Sequence, residues 1–248
     1  VVKSKVCGTH VHALGMAKDI HEVSQAAGEK PAVDDKGIML YPMFVVALRA
    51  VLAMTSIEPH EVLRAAGLAV EFPQEATAIF VSHEWCGCKH PDPHLEQFRA
   101  LQRALEGAIG GKWRFEADIF SVVSFRMRST LRPRDFAGLV DYFVWYDFFS
   151  APQPDSLPEG SPDLKGTQMA LARAIDSLSA YVARCRWFFV LAPTVRHEDG
   201  RWRDYASWKG RGWCRFERLS RVLSSRDGTV LLIADGESMW QVAGHQSL

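Results

Sequence analysis

Four short apolar runs set the limits on what this chain can fold into. They are Ala78-Ile79-Phe80-Val81-Ser82, Tyr142-Phe143-Val144-Trp145-Tyr146, Trp187-Phe188-Phe189-Val190-Leu191 and Thr229-Val230-Leu231-Leu232-Ile233. Each is continuously apolar rather than alternating, which suits a strand buried on both faces. Between them lie stretches with helical spacing. Residues 94–109 carry Leu95, Phe98, Leu101, Leu105 and Ile109, and residues 168–184 carry Ala170, Ala174, Leu178, Tyr181 and Val182. Residues 213–223 carry Trp213, Phe216, Leu219 and Leu223. Strand alternating with helix predicts an α/β fold, a parallel sheet with right-handed crossovers and flanking helices. Ligands of such sheets bind beyond the carboxyl ends of the strands. The polar exits of the runs, residues 82–85, 147–150 and 193–197, are therefore the places to look for chemistry.

Residues 1–74 read differently. The segment 43–54 (MFVVALRAVLAM) is an apolar helix candidate, and Pro59-His60-Glu61 opens another that Gly67 closes. Residues 29–37 read as a polar loop and 71–77 as a boundary. The expected organisation is a helical N-terminal extension over 1–74 and an α/β domain over 75–248. Within the latter, 111–137 reads as an insertion and 150–166 as a long loop rich in Pro, Ser and Gly. Lys plus Arg and Asp plus Glu both number 29, so no basic excess points to a nucleic-acid partner. The five cysteines show no disulfide framework, which favours a reducing, cytoplasmic setting. No apolar run approaches the roughly 18–20 residues of a membrane helix. The first residues lack a signal-peptide pattern, and the chain begins without Met.

The stretch Gly212-Trp213-Cys214-Arg215-Phe216-Glu217 carries the most chemistry. It puts a carboxylate on the first turns of a helix, beside an indole and a thiol. Unpaired N–H groups and the positive dipole end favour anions there. The plainer alternative is a surface glutamate on a helix whose Trp and Cys pack inward. Cys214 itself reads either as a thiol activated by Arg215 and the helix start or as a packing residue. His83, Cys86, Cys88, His90 and His94 crowd one segment and read either as zinc ligands or as a turn-rich loop. Their spacing is not that of a zinc knuckle, and no metal site is expected. Gly210-Arg211-Gly212 matches no phosphate-binding loop.

Taken in order, these pieces resemble a Toll/interleukin-1 receptor (TIR) domain over about residues 78–235. Phe80-Val81-Ser82-His83-Glu84-Trp85 is similar to the family's first strand and following loop, and Val144-Trp145-Tyr146-Asp147 to its second strand. Ala174-Ile175-Asp176-Ser177 with residues 187–191 resembles the next helix and strand. Ser207-Trp208 followed by Trp213-Cys214-Arg215-Phe216-Glu217 resembles the plant-type S-x-WC-x-x-E signature, with extra residues inside it. The family's last strand and helix have no counterpart after Gln241, so the domain is expected to be truncated there.

The resemblance implies a flavodoxin-like sheet and two kinds of role. Some members cleave NAD at the nicotinamide–ribose bond through the glutamate that corresponds to Glu217. NAD is then a substrate and no cofactor is implied. Ser82 and Asp147 would hydrogen-bond ribose hydroxyls, and Trp85, Phe149 and Trp213 would stack on the bases. His83 and Cys214 complete the expected substrate-binding set. Other members are signalling adaptors that only self-associate, and the catalytic ones often complete their sites in a homo-oligomer. A nucleoside-processing transferase of the related flavodoxin-like type is a third reading.

Overall fold

The computed structural model describes residues 32–34, 37–113, 116–117, 123, 131–158, 160–224 and 229–242. Strands β1 (Ala32–Asp34) and β2 (Gly37–Met39) pair antiparallel on their own. Then come β3 (Phe44–Ala47), α1 (Leu48–Ala53), α2 (His60–Ala65), β4 (Ala69–Glu71), β5 (Ala78–His83) and α3 (Glu96–Ile109). They are followed by β6 (Glu116–Ala117), β7 (Phe143–Tyr146), α4 (Asp147–Ser150), α5 (Leu164–Asp176), α6 (Leu178–Arg184) and β8 (Trp187–Leu191). The chain continues through a small antiparallel pair, β9 (Val195–Arg196) and β10 (Trp202–Arg203). It ends with α7 (Tyr205–Gly210), α8 (Gly212–Leu223), β11 (Val230–Ile233) and β12 (Trp240–Val242).

One eight-stranded sheet, in the order β4-β3-β7-β5-β8-β11-β12-β6, organises these elements. Its centre, β7-β5-β8-β11, is parallel throughout and is formed by the four apolar runs. In sequence order these strands stand 2-1-3-4, an arrangement compatible with flavodoxin-like sheets. The flanks are mixed: β3 is antiparallel to β7 and β4, and β12 is antiparallel to β11. The return into β12 is made at Gly236, whose φ of +81° suits glycine; a Cβ there would stand 2.7 Å from the carbonyl oxygen of Ala100.

Alternate residues of the central strands feed two cores. Ile79, Val81, Val144, Phe189 and Leu231 face one side and meet Phe98, Leu101 and Leu105 of α3. Ala78, Phe80, Trp145, Phe188 and Leu232 face the other and meet Tyr181 and Val182 of α6, Trp208 of α7 and Cys214 of α8. The register is marked by an aromatic ladder. Phe80 lies opposite Trp145 on one neighbour and Phe188 on the other, with centroids 4.3 and 5.3 Å apart and rings within 9° and 5° of parallel. Burying each such ring contributes roughly 1.5–3 kcal/mol, and the stacked pairs add to that.

Two expectations about helices change. The segment 43–54 is not one helix: Phe44–Ala47 is a strand of the main sheet, and only Leu48–Ala53 is helical. A short apolar run is ambiguous between the two states, and the β-branched Val45 and Val46 find strand partners in β4 and β7. From residue 32 onward the N-terminal region is therefore mixed rather than helical, and its first 31 residues lie outside the described part. The helix expected over 168–184 is broken at Ser177. Its hydroxyl donates to the carbonyl of Arg173 at 2.7 Å and accepts the N–H groups of Leu40 and Tyr41, so it ties the incoming chain to the α5–α6 corner. Most of the expected 111–137 insertion lies outside the described residues.

Candidate functional site

The carboxyl end of β5 is the most polar point of the buried sheet. Strand alternation sends Ser82 toward α7 and α8, and His83 toward α3 and β7. Ser82 is fully buried, and its hydroxyl donates to Oε2 of Glu217 at 2.5 Å. Nε1 of Trp208 donates to the same Ser82 oxygen at 3.1 Å, so the hydroxyl proton is left to point at the carboxyl. Glu217 stands on the second turn of α8, within the first turns where the sequence placed it. It is half-buried, with access to solvent, yet enough protein surrounds its carboxyl for desolvation to dominate its titration. Burial pushes Glu217 up from 4.5 to about 8; the Asp147 charge adds to the shift and the Ser82 hydrogen bond opposes it.

On the other side of the strand, the His83 ring stacks on Tyr146 at 4.0 Å and 12°. Its Nε2 lies 3.4 Å from Oδ1 of Asp147, the first residue after β7. Oδ2 of Asp147 accepts Nε1–H of Trp85 at 2.7 Å. Burial moves His83 below the usual histidine range, outweighing the Asp147 charge, so the imidazole is neutral near pH 7. Ser82, His83, Trp85, Asp147 and Glu217 are thus gathered at the exits of β5 and β7.

Two other members of the expected set are buried in the packing around the site. Phe149 is wholly buried, stacked on Tyr146 at 5.1 Å, and offers no face to a ligand. Strand β7 runs directly into the short helix α4, which turns Phe149 inward. Cys214 is also buried, with its thiol donating to the carbonyl of His83 at 3.5 Å. Burial and the nearby Glu217 and Glu84 charges drive its pKa far up, so it is a packing residue and not a nucleophile. Trp213 is half-buried and meets Phe216 edge-on at 6.3 Å.

The His/Cys segment does not converge on an ion. Cys86 is buried, accepts from Gln97 and is pushed up to about 12 by burial. His90 donates to the carbonyl of Ile57 and accepts the N–H of Asp92, while His94 is exposed. Among the described residues no group of three or more His, Cys, Asp or Glu is positioned to hold a metal. Among them, too, no helix is long and apolar enough to cross a membrane.

Sequence reasoning missed a clamp around Glu84. This carboxylate is buried, 3.0 Å from Nε of Arg203 and 3.6 Å from Nε of Arg211. Ser207 donates to its other oxygen at 2.6 Å. The same Ser207 forms a capping box with Asp204 at the start of α7. The clamp pins the β10–α7 segment, and with it Trp208 and the start of α8, to the exit of β5. The Asp204-x-x-Ser207 cap is a legible signal, but the pairing of Glu84 with residues about 120 positions away is not.

No protein-family model matches the chain, and neither a curated protein nor a solved structure matches it.

Proposed function

We propose that this chain is a flavodoxin-like, TIR-type domain that hydrolyses NAD at the nicotinamide–ribose bond, with Glu217 as its catalytic carboxylate. In this reading it works as a homo-oligomer in cytoplasmic signalling. One observation carries it: the only carboxyl hydrogen-bonded to Ser82 among the described residues is that of Glu217, at the β5 exit beside the point where the strand order reverses. Nicotinamide leaves a pyridinium as a neutral ring, so its departure needs no acid. What the reaction needs is a negative charge facing the developing oxocarbenium ion. Glu217 holds a proton up to about 8 in the free protein, and a cationic pyridinium brought against it favours the ionised form. Ser82, itself fixed by Trp208, aims the carboxylate. Trp85 and Trp213, each half-buried, are the aromatic surfaces available for stacking.

The test is nicotinamide release from NAD by the purified chain at several protein concentrations. Glu217→Ala and Glu217→Gln abolish it if the reading is right; equal rates from all three proteins refute it. A steep rise with protein concentration indicates a site completed by a second copy. A second reading, a self-association module without catalysis, is favoured by Phe216 and Leu223, both exposed on α8. It predicts concentration-dependent association that Phe216→Glu disrupts, with NAD left intact.

A further inference from the structure

We infer that Glu84 is a positioning residue for Glu217: it fixes helix α7 so that the indole of Trp208 turns the Ser82 hydroxyl onto the Glu217 carboxyl. The inference deepens the hydrolase reading and, as a role in a reaction, rests on it. Glu84 directly follows β5, two residues beyond Ser82, and is 6% exposed. Both of its oxygens are engaged. Oε1 stands 3.0 Å from Nε of Arg203 and 3.6 Å from Nε of Arg211, and Oε2 accepts the Ser207 hydroxyl at 2.6 Å. A carboxylate enclosed in this way does not meet a substrate itself, so its effect on the reaction is exerted through the residues it holds.

Those residues are Arg203, Ser207 and Arg211, at regular intervals along the run that contains α7. Arg203 precedes the N-cap, Ser207 lies in the first turn and Arg211 is the C-cap, so one carboxylate grips the helix at its start, middle and end. A helix of 6 residues is too short to hold itself in water and takes its place from such contacts. What α7 places is Trp208, 1% exposed and next in the chain after Ser207. An indole N–H can only donate. Oγ of Ser82 therefore accepts it, at 3.1 Å, and directs its own proton to Oε2 of Glu217 at 2.5 Å. Two adjacent residues of α7 thus tie the carboxyl at the β5 exit to the one on α8. Arg211 is also the N-cap of α8, the helix that carries Glu217, which gives Glu84 a second hold on it. A displacement of about 1 Å at a reacting group costs up to about a hundredfold in rate, so a loosened α7 is felt in turnover.

The experiment compares the wild type with Ser207→Ala, Ser207→Thr, Glu84→Gln and Asp204→Ala. Ser207→Ala and Asp204→Ala both break the capping box, but only the first also removes the donor to Glu84. Glu84→Gln keeps an acceptor for Ser207 and loses the charge that faces both arginines. Each protein is read twice: by kcat and KM for nicotinamide release, and by the NMR shift of the Trp208 indole N–H. Ser82→Ala marks where that resonance lies once its bond is broken. Ser207→Ala and Glu84→Gln are expected to lower kcat by about tenfold or more, leave KM within about twofold, and move the resonance toward the Ser82→Ala position. Ser207→Thr keeps the hydroxyl and is expected to keep both wild-type readings. Asp204→Ala is expected to lower the unfolding temperature with kcat within about twofold and the resonance in place. Unchanged readings in Ser207→Ala and Glu84→Gln, an equal loss in Asp204→Ala, or lost turnover with the resonance in place overturns the inference. If the wild type releases no nicotinamide, the hydrolase reading fails and the resonance decides: displacement in Ser207→Ala and Glu84→Gln but not in Asp204→Ala upholds Glu84 as the residue that fixes Trp208 on Ser82, and constancy refutes it. Release that Glu217→Gln abolishes and Glu84→Gln leaves intact upholds the hydrolase and refutes the role of Glu84.

Discussion

Holding Glu217 at the β5 exit costs stability, and the cost depends on pH in a direction that can be worked out. The carboxyl titrates near 4.5 in the unfolded chain and near 8 in the folded one. The folded protein therefore keeps a proton that the unfolded chain releases, and stability falls as pH rises between these values. The penalty is absent below 4.5, accumulates through neutral pH and is complete above 8. At about 1.4 kcal/mol per pH unit, the full interval corresponds to about 5 kcal/mol. Glu217 is only half-buried, so solvent screening reduces this to roughly 2–4 kcal/mol. Glu217→Gln keeps an acceptor for Ser82 but never ionises. Its unfolding free energy should match that of the wild type near pH 5 and exceed it by roughly 2–4 kcal/mol at pH 9. For a chain of this size that is on the order of 5–12 °C in unfolding temperature. Urea denaturation of both proteins at pH 5, 7 and 9 measures it. If the two curves run parallel across that range, the carboxyl is not desolvated and the argument fails.

Four further outcomes follow from the contacts described above. If the ionised carboxyl is the active form, kcat/KM for nicotinamide release rises about tenfold per pH unit and levels off above about 8. Ser82→Ala removes the hydrogen bond that opposes this shift and should move the midpoint to higher pH; a profile that falls with pH would instead assign an acid role and favour the nucleoside-transferase reading. Cys214→Ser should retain nicotinamide release, since the thiol is buried and protonated, and loss of activity in a folded variant refutes the packing role. Phe80→Ala opens the middle of the aromatic ladder and should destabilise the fold by about 3–5 kcal/mol in denaturant titration; a change below 1 kcal/mol would show that the ladder contributes little.

The central sheet was legible because it is specified locally. Runs such as Trp-Phe-Phe-Val-Leu have no polar face to turn to water, so residues 187–191 had to be a doubly covered strand, and the structure gives that strand with those bounds. Ser82 and Asp147 were legible for a related reason: they stand at the ends of apolar strands, where a parallel sheet opens to solvent. Glu217, inside a helix, was singled out by its place beside Trp213 and Cys214 and by the family resemblance. What the tertiary structure decided depends on partners remote in the chain. Residues 44–47 are a strand because Val144 and Val70 lie beside them, and Ser177 ends a helix because Leu40 and Tyr41 arrive to use its hydroxyl. Phe149 is buried because β7 passes straight into α4. Glu84 is caught between two arginines about 120 residues downstream. Periodicity records which face of an element is apolar. It carries no information about which distant polar group will meet a given side chain, and in this site those meetings set the charge states on which the chemistry depends.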